Sequence, residues 1–371
     1  MLKDNILSLN QRRLVELVFR NEGMARIDLV RSTQMTGASV TRLTADLEDF
    51  GLFEEAVKKS GARGQPKKML SIRRNAFRSV GVYLYLDRMV AVIIDFSGQV
   101  LAETSRLTED KTAQEAMRLA VDMANELIAS TKTEAANFIG IGLSLPGNFG
   151  THGQSLKAHE TFKELEGYPS QNGISEYEGA QIHIENDGTA AALGEYLFGS
   201  RELRDPLFLV HIGYGLGGGA VLDGRPYRGH NGNACLPGAL FPYGGPRPTL
   251  QDFQDEMNKV GITLGDIKEL STQDLRQKDP VVAWIARASD QMRFAVQVIS
   301  GMFDPKIIVL GGALPAVITA ELVAKINCTP LLPPSRGLES AHVVATRLGE
   351  LNGPIGAASI PFFRAFFPGA S

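Results

Sequence analysis

Between residues 138 and 314 the chain repeats one pattern, an apolar run of strand length that stops on glycine, as in FIGIGLSLPG, FLVHIGYGLGGG and IIVLGGAL. Runs this uniformly apolar suit strands buried on both faces, and glycine at their ends frees the backbone to turn. The stretch QIHIENDGTAAALGEYLFG adds a strand, a polar corner and an alanine-rich helix, and a long amphipathic helix is predicted around 281–303. Upstream, VGVYLYLDRMVAVIIDFSGQVLAE predicts two adjacent strands and a Ser-Gly turn at 97–98. Strands interleaved with helices define an α/β protein, and ligands of such folds sit at strand ends. The polar corner sets Asn186 and Asp187 at one such end. Asp187 caps the helix that follows, binds ligand hydroxyls, or does both.

With 371 residues the chain exceeds one ordinary core and divides into two or three domains. Its 44% hydrophobic and 21% charged residues fit a globular protein in water. No apolar run is long enough for a membrane span and MLKDNILSLNQRR lacks a secretory signal, so a cytoplasmic location is expected. Cys235 and Cys328 lie far apart, which excludes a disulfide framework or cysteine-rich zinc site; no metal or cofactor is expected. The net charge of -3 conceals a division, since residues 1–80 carry a balance of +6 and the remainder -9. A basic head on an acidic body points to a polyanionic partner for the head.

In the head, Leu14, Leu17 and Val18 share one helical face, and Ile27, Leu29 and Val30 mark a second short helix. Next, MTGASVTRLTADLEDFG reads as a complete helix, with Thr36 as N-cap, Val40, Leu43 and Leu47 inward and Gly51 as the stop. Two short helices around a tight turn are the geometry that sends the second into a major groove. Its early outward positions, Ala38, Ser39, Thr41 and Arg42, are small, hydroxylic or basic, as close approach to phosphates and base edges requires. The plainer reading is a solvated helix face. LFEEAVKKSGARGQPKKMLSIRR then predicts two strands around a tip bearing Gly61, Arg63, Gly64 and Pro66, flanked by Lys58, Lys59, Lys67 and Lys68. Such a wing lays an arginine into a minor groove and lysines on phosphates. A flexible linker is the alternative, but linkers seldom alternate Met, Leu and Ile into strands.

Taken in order, TGASVTRLTADLEDFGL, GARGQP, GIGLSLPG, IENDGTAAALGE, IGYGLGGG and IVLGGAL resemble the ROK family of repressors, open reading frames and sugar kinases, in its regulator branch. The resemblance covers nearly the whole chain. It implies a winged helix-turn-helix over residues 1–78 and a two-lobed, actin-like, sugar-kinase-like body over 79–371 that binds an effector and oligomerises. Kinases of the family carry an Asp-x-Gly-Gly-Thr phosphate loop; Tyr83, Leu84, Tyr85, Leu86 and Asp87 align there, and Tyr214 stands at the usual threonine of the second loop. Asp187 aligns with the general base but has no phosphoryl donor to serve. The effector-binding residues implied are Pro146, Gly147, Asn186, Asp187 and Gln251, the last at the place of a sugar-binding glutamate. Leu236 and Ala239 replace the family's sugar-binding Glu and His, and the zinc cysteines are missing. The pocket is left to an unusual sugar, a derivative, or nothing. The expected function is a non-enzymatic transcriptional regulator, a repressor, that binds a palindromic operator in double-stranded DNA as a homodimer or homotetramer and answers to a carbohydrate-like effector. The rivals are a sugar kinase with an accessory head and a DNA-binding dimer with a vestigial pocket.

Overall fold

The computed structural model describes residues 7–58, 67–108, 112–149, 156–158, 160–166, 174–177, 180–199, 206–242, 244–263, 265, 271–333 and 335–369. The head begins with α1 (Leu9–Arg20), opened by a capping box between Ser8 and Gln11. Two further helices follow, the short α2 (Arg26–Thr33) and α3 (Gly37–Asp49). Thr36 caps α3 by accepting from the Ser39 amide, and Gly51 sits beyond its end at φ +82°, as the sequence leads one to expect. Val40, Leu43 and Leu47 are buried. The wing strands β1 (Phe53–Lys58) and β2 (Lys67–Ile72) pair antiparallel, and Met24 bridges to Leu70 as a third, one-residue strand. A charged clamp ties these parts together. Arg26 at the start of α2 binds Glu48 of α3 at 2.5 Å and Glu55 of β1, and Lys68 reaches Glu55 at 2.7 Å.

The first lobe of the body contains β3 (Arg78–Leu84), β4 (Arg88–Asp95), β5 (Val100–Leu107), α4 (Ala113–Ser130), β6 (Phe138–Leu145), the small hairpin β7 (Gly147–Phe149) and β8 (Leu156–Ala158), β9 (Ile174–Tyr177) and β10 (Ala180–Asn186). Its sheet runs β5-β4-β3-β6-β10-β9. The stretch expected to hold two strands and a turn thus supplies three, the third following the Ser97-Gly98 turn. Helix α5 (Asp187–Phe198) leads to the second lobe, where β11 (Leu207–Ile212), β12 (Leu216–Leu222), β13 (Arg225–Pro226), β14 (Ile307–Gly312) and β15 (His342–Ala345) run β13-β12-β11-β14-β15. The helices of this lobe are α6 (Leu250–Asn258), the single turn α7 (Thr272–Leu275), α8 (Asp279–Phe303) and α9 (Ala316–Asn327). Each sheet is an antiparallel meander of three strands extended by two parallel strands, and the first sheet adds β9 antiparallel at its edge. This shared plan gives the two lobes.

The closing helix α10 (Asn352–Phe366) packs with α5 between the lobes. Pro361 cannot donate to Ala357 O, and that carbonyl instead lies against Gly142 of β6, where any Cβ would stand 1.9 Å from it. Glycine there permits the close approach. One apolar core runs from the head through α5 and α10, with Phe19 edge-on to Phe367 at 5.1 Å, Phe77 against Phe366 at 5.3 Å and Phe96 on Phe362 at 4.7 Å. Polar contacts reinforce this seam, because Arg20 Nε of α1 donates to Tyr196 Oη of α5 at 3.2 Å. Two further cores lie under α4 and under α8.

Candidate functional site

The parallel pair β6 and β10 ends in the loops that build the corner. Asn186, the last residue of β10, is the N-cap of α5: its Oδ1 accepts from Gly188 N at 3.0 Å and Thr189 N at 3.2 Å. Its Nδ2 donates to Gly147 O at 2.5 Å, where Gly147 holds φ +144°. The capping role expected of Asp187 therefore belongs to Asn186. Asp187 is the first residue of the helix; its Oδ1 accepts from Gly188 N at 2.8 Å and its side chain is 15% exposed. The corner thus brings together Gly147, Asn186 and Asp187, with Pro146 half-buried beside them. Gln251 stands exposed on α6, outside the hydrogen bonds of the corner. Its helix is anchored nearby through Leu250 N to Gly213 O at 2.9 Å.

Behind Asp187 lies an aromatic floor. Tyr83 Oη and His211 Nε2 are 2.9 Å apart, and His211 Nε2 is 3.9 Å from Asp187 Oδ2. The Tyr83 ring covers Gly353, where a Cβ would stand 2.5 Å from it, and packs on Tyr85 at 4.5 Å between centroids. Its hydroxyl would lie 3.6 Å from a Cβ at Gly213 in the β11–β12 glycine turn. Burial pushes the Tyr83 hydroxyl well above its ordinary range, with the Asp187 charge adding to it, and raises Tyr85 to about 12. Burial lowers His211, while Asp187 and Asn352 act in the opposite sense. The pair is neutral in ordinary buffer. Tyr83, aligned with the kinase loop's aspartate, and Tyr85, aligned with its first glycine, thus place bulk and neutral polar groups between Gly213 of the β11–β12 turn and Gly353 of α10.

Besides the Tyr83–His211 pair, two further contacts join the lobes across the corner, and neither was anticipated. Arg228, beyond β13, binds the buried Glu185 of β10 at 2.5 Å, and the Glu185 carboxylate also accepts from Asn186 N at 2.9 Å. Asn233 pairs with the backbone of Phe149 at 2.7 Å in both directions. Glu185 directly precedes the quoted Asn-Asp pair and was the available signal. Cys235 has φ +67° and burial raises its thiol to about 11, so it is an unreactive packing residue. Among the described residues, no group of three or more His, Cys, Asp or Glu side chains could hold a metal ion.

In the head, Ala38, Thr41 and Arg42 are exposed on α3 and Ser39 is half-exposed beside them. Thr41 Oγ1 donates to Gly37 O at 2.9 Å, and Arg42 lies 3.8 Å from Asp46 while 72% of its side chain remains exposed. Lys58 and Lys67 are backbone register partners in the last β1–β2 pair. Lys59 and Arg63 lie outside the described residues.

A head of three helices and a β-hairpin before two α/β lobes of one plan defines a sugar-kinase-like fold with an N-terminal extension. The ROK family model matches residues 80–239. An uncharacterized protein, y4fQ, of Sinorhizobium fredii is 47% identical over 98% of this chain and 93% of its own length. The chain belongs to the ROK family. The xylose repressor of Bacillus subtilis is 22% identical over 65% of this chain and 63% of that repressor. Among solved structures, a ROK family transcriptional regulator, a homolog of the Escherichia coli MLC protein, matches with TM-score 0.66 and 22% identity over 96% of both chains. A ROK glucokinase from Streptomyces griseus, in complex with glucose and AMPPNP, matches with TM-score 0.57 and 21% identity over 76% of this chain and 98% of its own. A transcriptional regulator and a kinase thus share this fold, and the chemistry has to be read from the corner. No helix among the described residues is long and apolar enough to cross a membrane.

Proposed function

We propose that the chain is a DNA-binding transcriptional regulator, a repressor without phosphoryl-transfer activity. Residues 1–78 form the DNA-binding domain and residues 79–371 the effector-binding and oligomerising body. The observation that supports this reading is the Tyr83–His211 pair behind Asp187, which puts an aromatic ring and an imidazole where the resemblance puts the phosphate loops of the family's kinases. Asp187 accepts hydroxyl protons as a hydrogen-bond partner of a sugar-like effector, since a base without a phosphoryl donor has nothing to transfer. The exposed face of α3, with Ala38, Ser39, Thr41 and Arg42, reads a major groove. The wing with Lys58, Lys59, Arg63 and Lys67 lies on the flanking backbone. Two such heads in a homodimer or homotetramer meet a palindromic operator.

The test has two arms. Operator fragments selected from genomic DNA should bind with an affinity that falls steeply with salt, the log–log slope being about -0.9 per phosphate neutralised. Arg42→Ala should weaken binding by about 1–3 kcal/mol if Arg42 reads a base. A coupled ATP assay across a sugar panel should give no turnover. Turnover abolished by Asp187→Asn would establish the kinase reading instead, and a flat salt profile would remove the DNA-binding one.

A further inference from the structure

The floor of the corner bears on which effector can enter. A phosphate group placed beside Asp187 would need space, donors and counter-charge. The space between Gly213 and Gly353 is taken by the Tyr83 ring and hydroxyl. The donors that a helix start offers to anions are engaged, because Gly188 N and Thr189 N both donate to Asn186 Oδ1. Among the described residues Arg228 is brought to this corner, and it is bound to the Glu185 carboxylate at 2.5 Å. His211 supplies no positive charge, since burial keeps it neutral. What faces an incoming ligand is the Asp187 carboxylate, an acceptor for hydroxyl hydrogens and a repellent for phosphate oxygens.

We propose that Tyr83 and His211 are specificity-determining residues that restrict the effector to an uncharged polyol, a free sugar or sugar alcohol, and exclude its phosphate esters. The inference rests on the reading of the Asn186–Asp187 corner as the effector site. It extends that reading from what the corner cannot catalyse to what it cannot bind. The pair works by shape and by neutrality together: the ring closes the depth that an ester would need, and the imidazole behind it withholds the charge that would hold one.

Calorimetry and thermal shifts on the full-length protein test this with D-xylose, D-glucose, N-acetyl-D-glucosamine and xylitol, with glucose 6-phosphate and N-acetylglucosamine 6-phosphate, and with inorganic phosphate. At least one uncharged compound should raise the melting temperature, and a phosphate ester of a binder should bind about 100-fold or more weakly, as like-charge juxtaposition demands. Tyr83→Phe keeps the ring and should keep the discrimination. His211→Thr combined with Tyr83→Gly should narrow it by about tenfold or more while the parent sugar still binds. An ester that binds as well as its parent sugar, with both abolished by Asp187→Ala, would overturn the proposal and leave the effector site standing. Binding of none of these compounds would overturn both.

Discussion

Arg228 holds a carboxylate that cannot reach water by itself, since Glu185 is 2% exposed. Breaking a buried ion pair by removing one member costs ~3–5 kcal/mol, and the 42% exposure of the Arg228 side chain sets the expectation for Arg228→Ala near the lower end. Urea denaturation should show this loss, and Glu185→Leu in the same background should restore part of it. The buried histidines predict the pH response. Burial pushes His183 down to about 3, with the Arg364 charge adding to it, and it also lowers His211. Both folded-state values lie below the unfolded ones, so the unfolded chain takes up more protons on acidification. Their contribution is complete above 6.5 and is lost as pH falls through the folded values, that of His183 being about 3. Glu195 has the opposite sign: burial raises it, and its contribution is complete below 4.5 and lost as pH rises through the folded value. The urea midpoint should therefore fall as buffer is taken below pH 6.5, and His183→Gln should flatten part of that slope.

Among the elements, α3 and α5 were legible because their ends carry local chemistry. Thr36 and Asn186 each accept backbone amides of the first turn, and Gly51 adopts the left-handed conformation that stops α3. Asn186→Ala should cost ~1–2 kcal/mol from the lost cap, and more through the freed Gly147 carbonyl, whereas Asp187→Asn should leave the melting curve nearly unchanged. Equilibrium unfolding of the two variants separates the capping residue from its neighbour. Helix α10 was illegible for the opposite reason. NGPIGAASIPFFRAF carries two glycines and two prolines that argue against a helix, and it forms because nearly every residue is buried against α5, β3 and β6. Tertiary packing overrides propensity there. The lobe-crossing contacts of Arg228 and Asn233 were equally hidden, because they join residues far apart in sequence. The aromatic floor was half visible: Tyr83 and Tyr85 stood out against the family pattern, but the partner that makes Tyr83 a wall, His211, lies on the other lobe.

At the scale of the whole molecule the head is packed onto the body by a shared core rather than tethered beside it. The polar part of that joint can be removed alone. Tyr196→Phe keeps the ring against Phe19 and deletes the acceptor of Arg20 Nε, at a cost of about 1–2 kcal/mol. Hydrogen exchange should show faster opening of the α1 amides with little change in β11 and β14; unchanged α1 protection would mean the aromatic contacts hold the head unaided. Helix α5 starts at Asp187 and carries Tyr196 near its far end, and the residues from Gly188 to Leu197 are buried. Glycine contacts without clearance wedge it against β12 and α10, Gly188 on Gly218 and Gly194 on Gly356. A bar gripped along its sides has no slack to absorb a push at its tip. The Asn186–Asp187 corner and the underside of α1 are thereby the two ends of a single helix, with no loop between them.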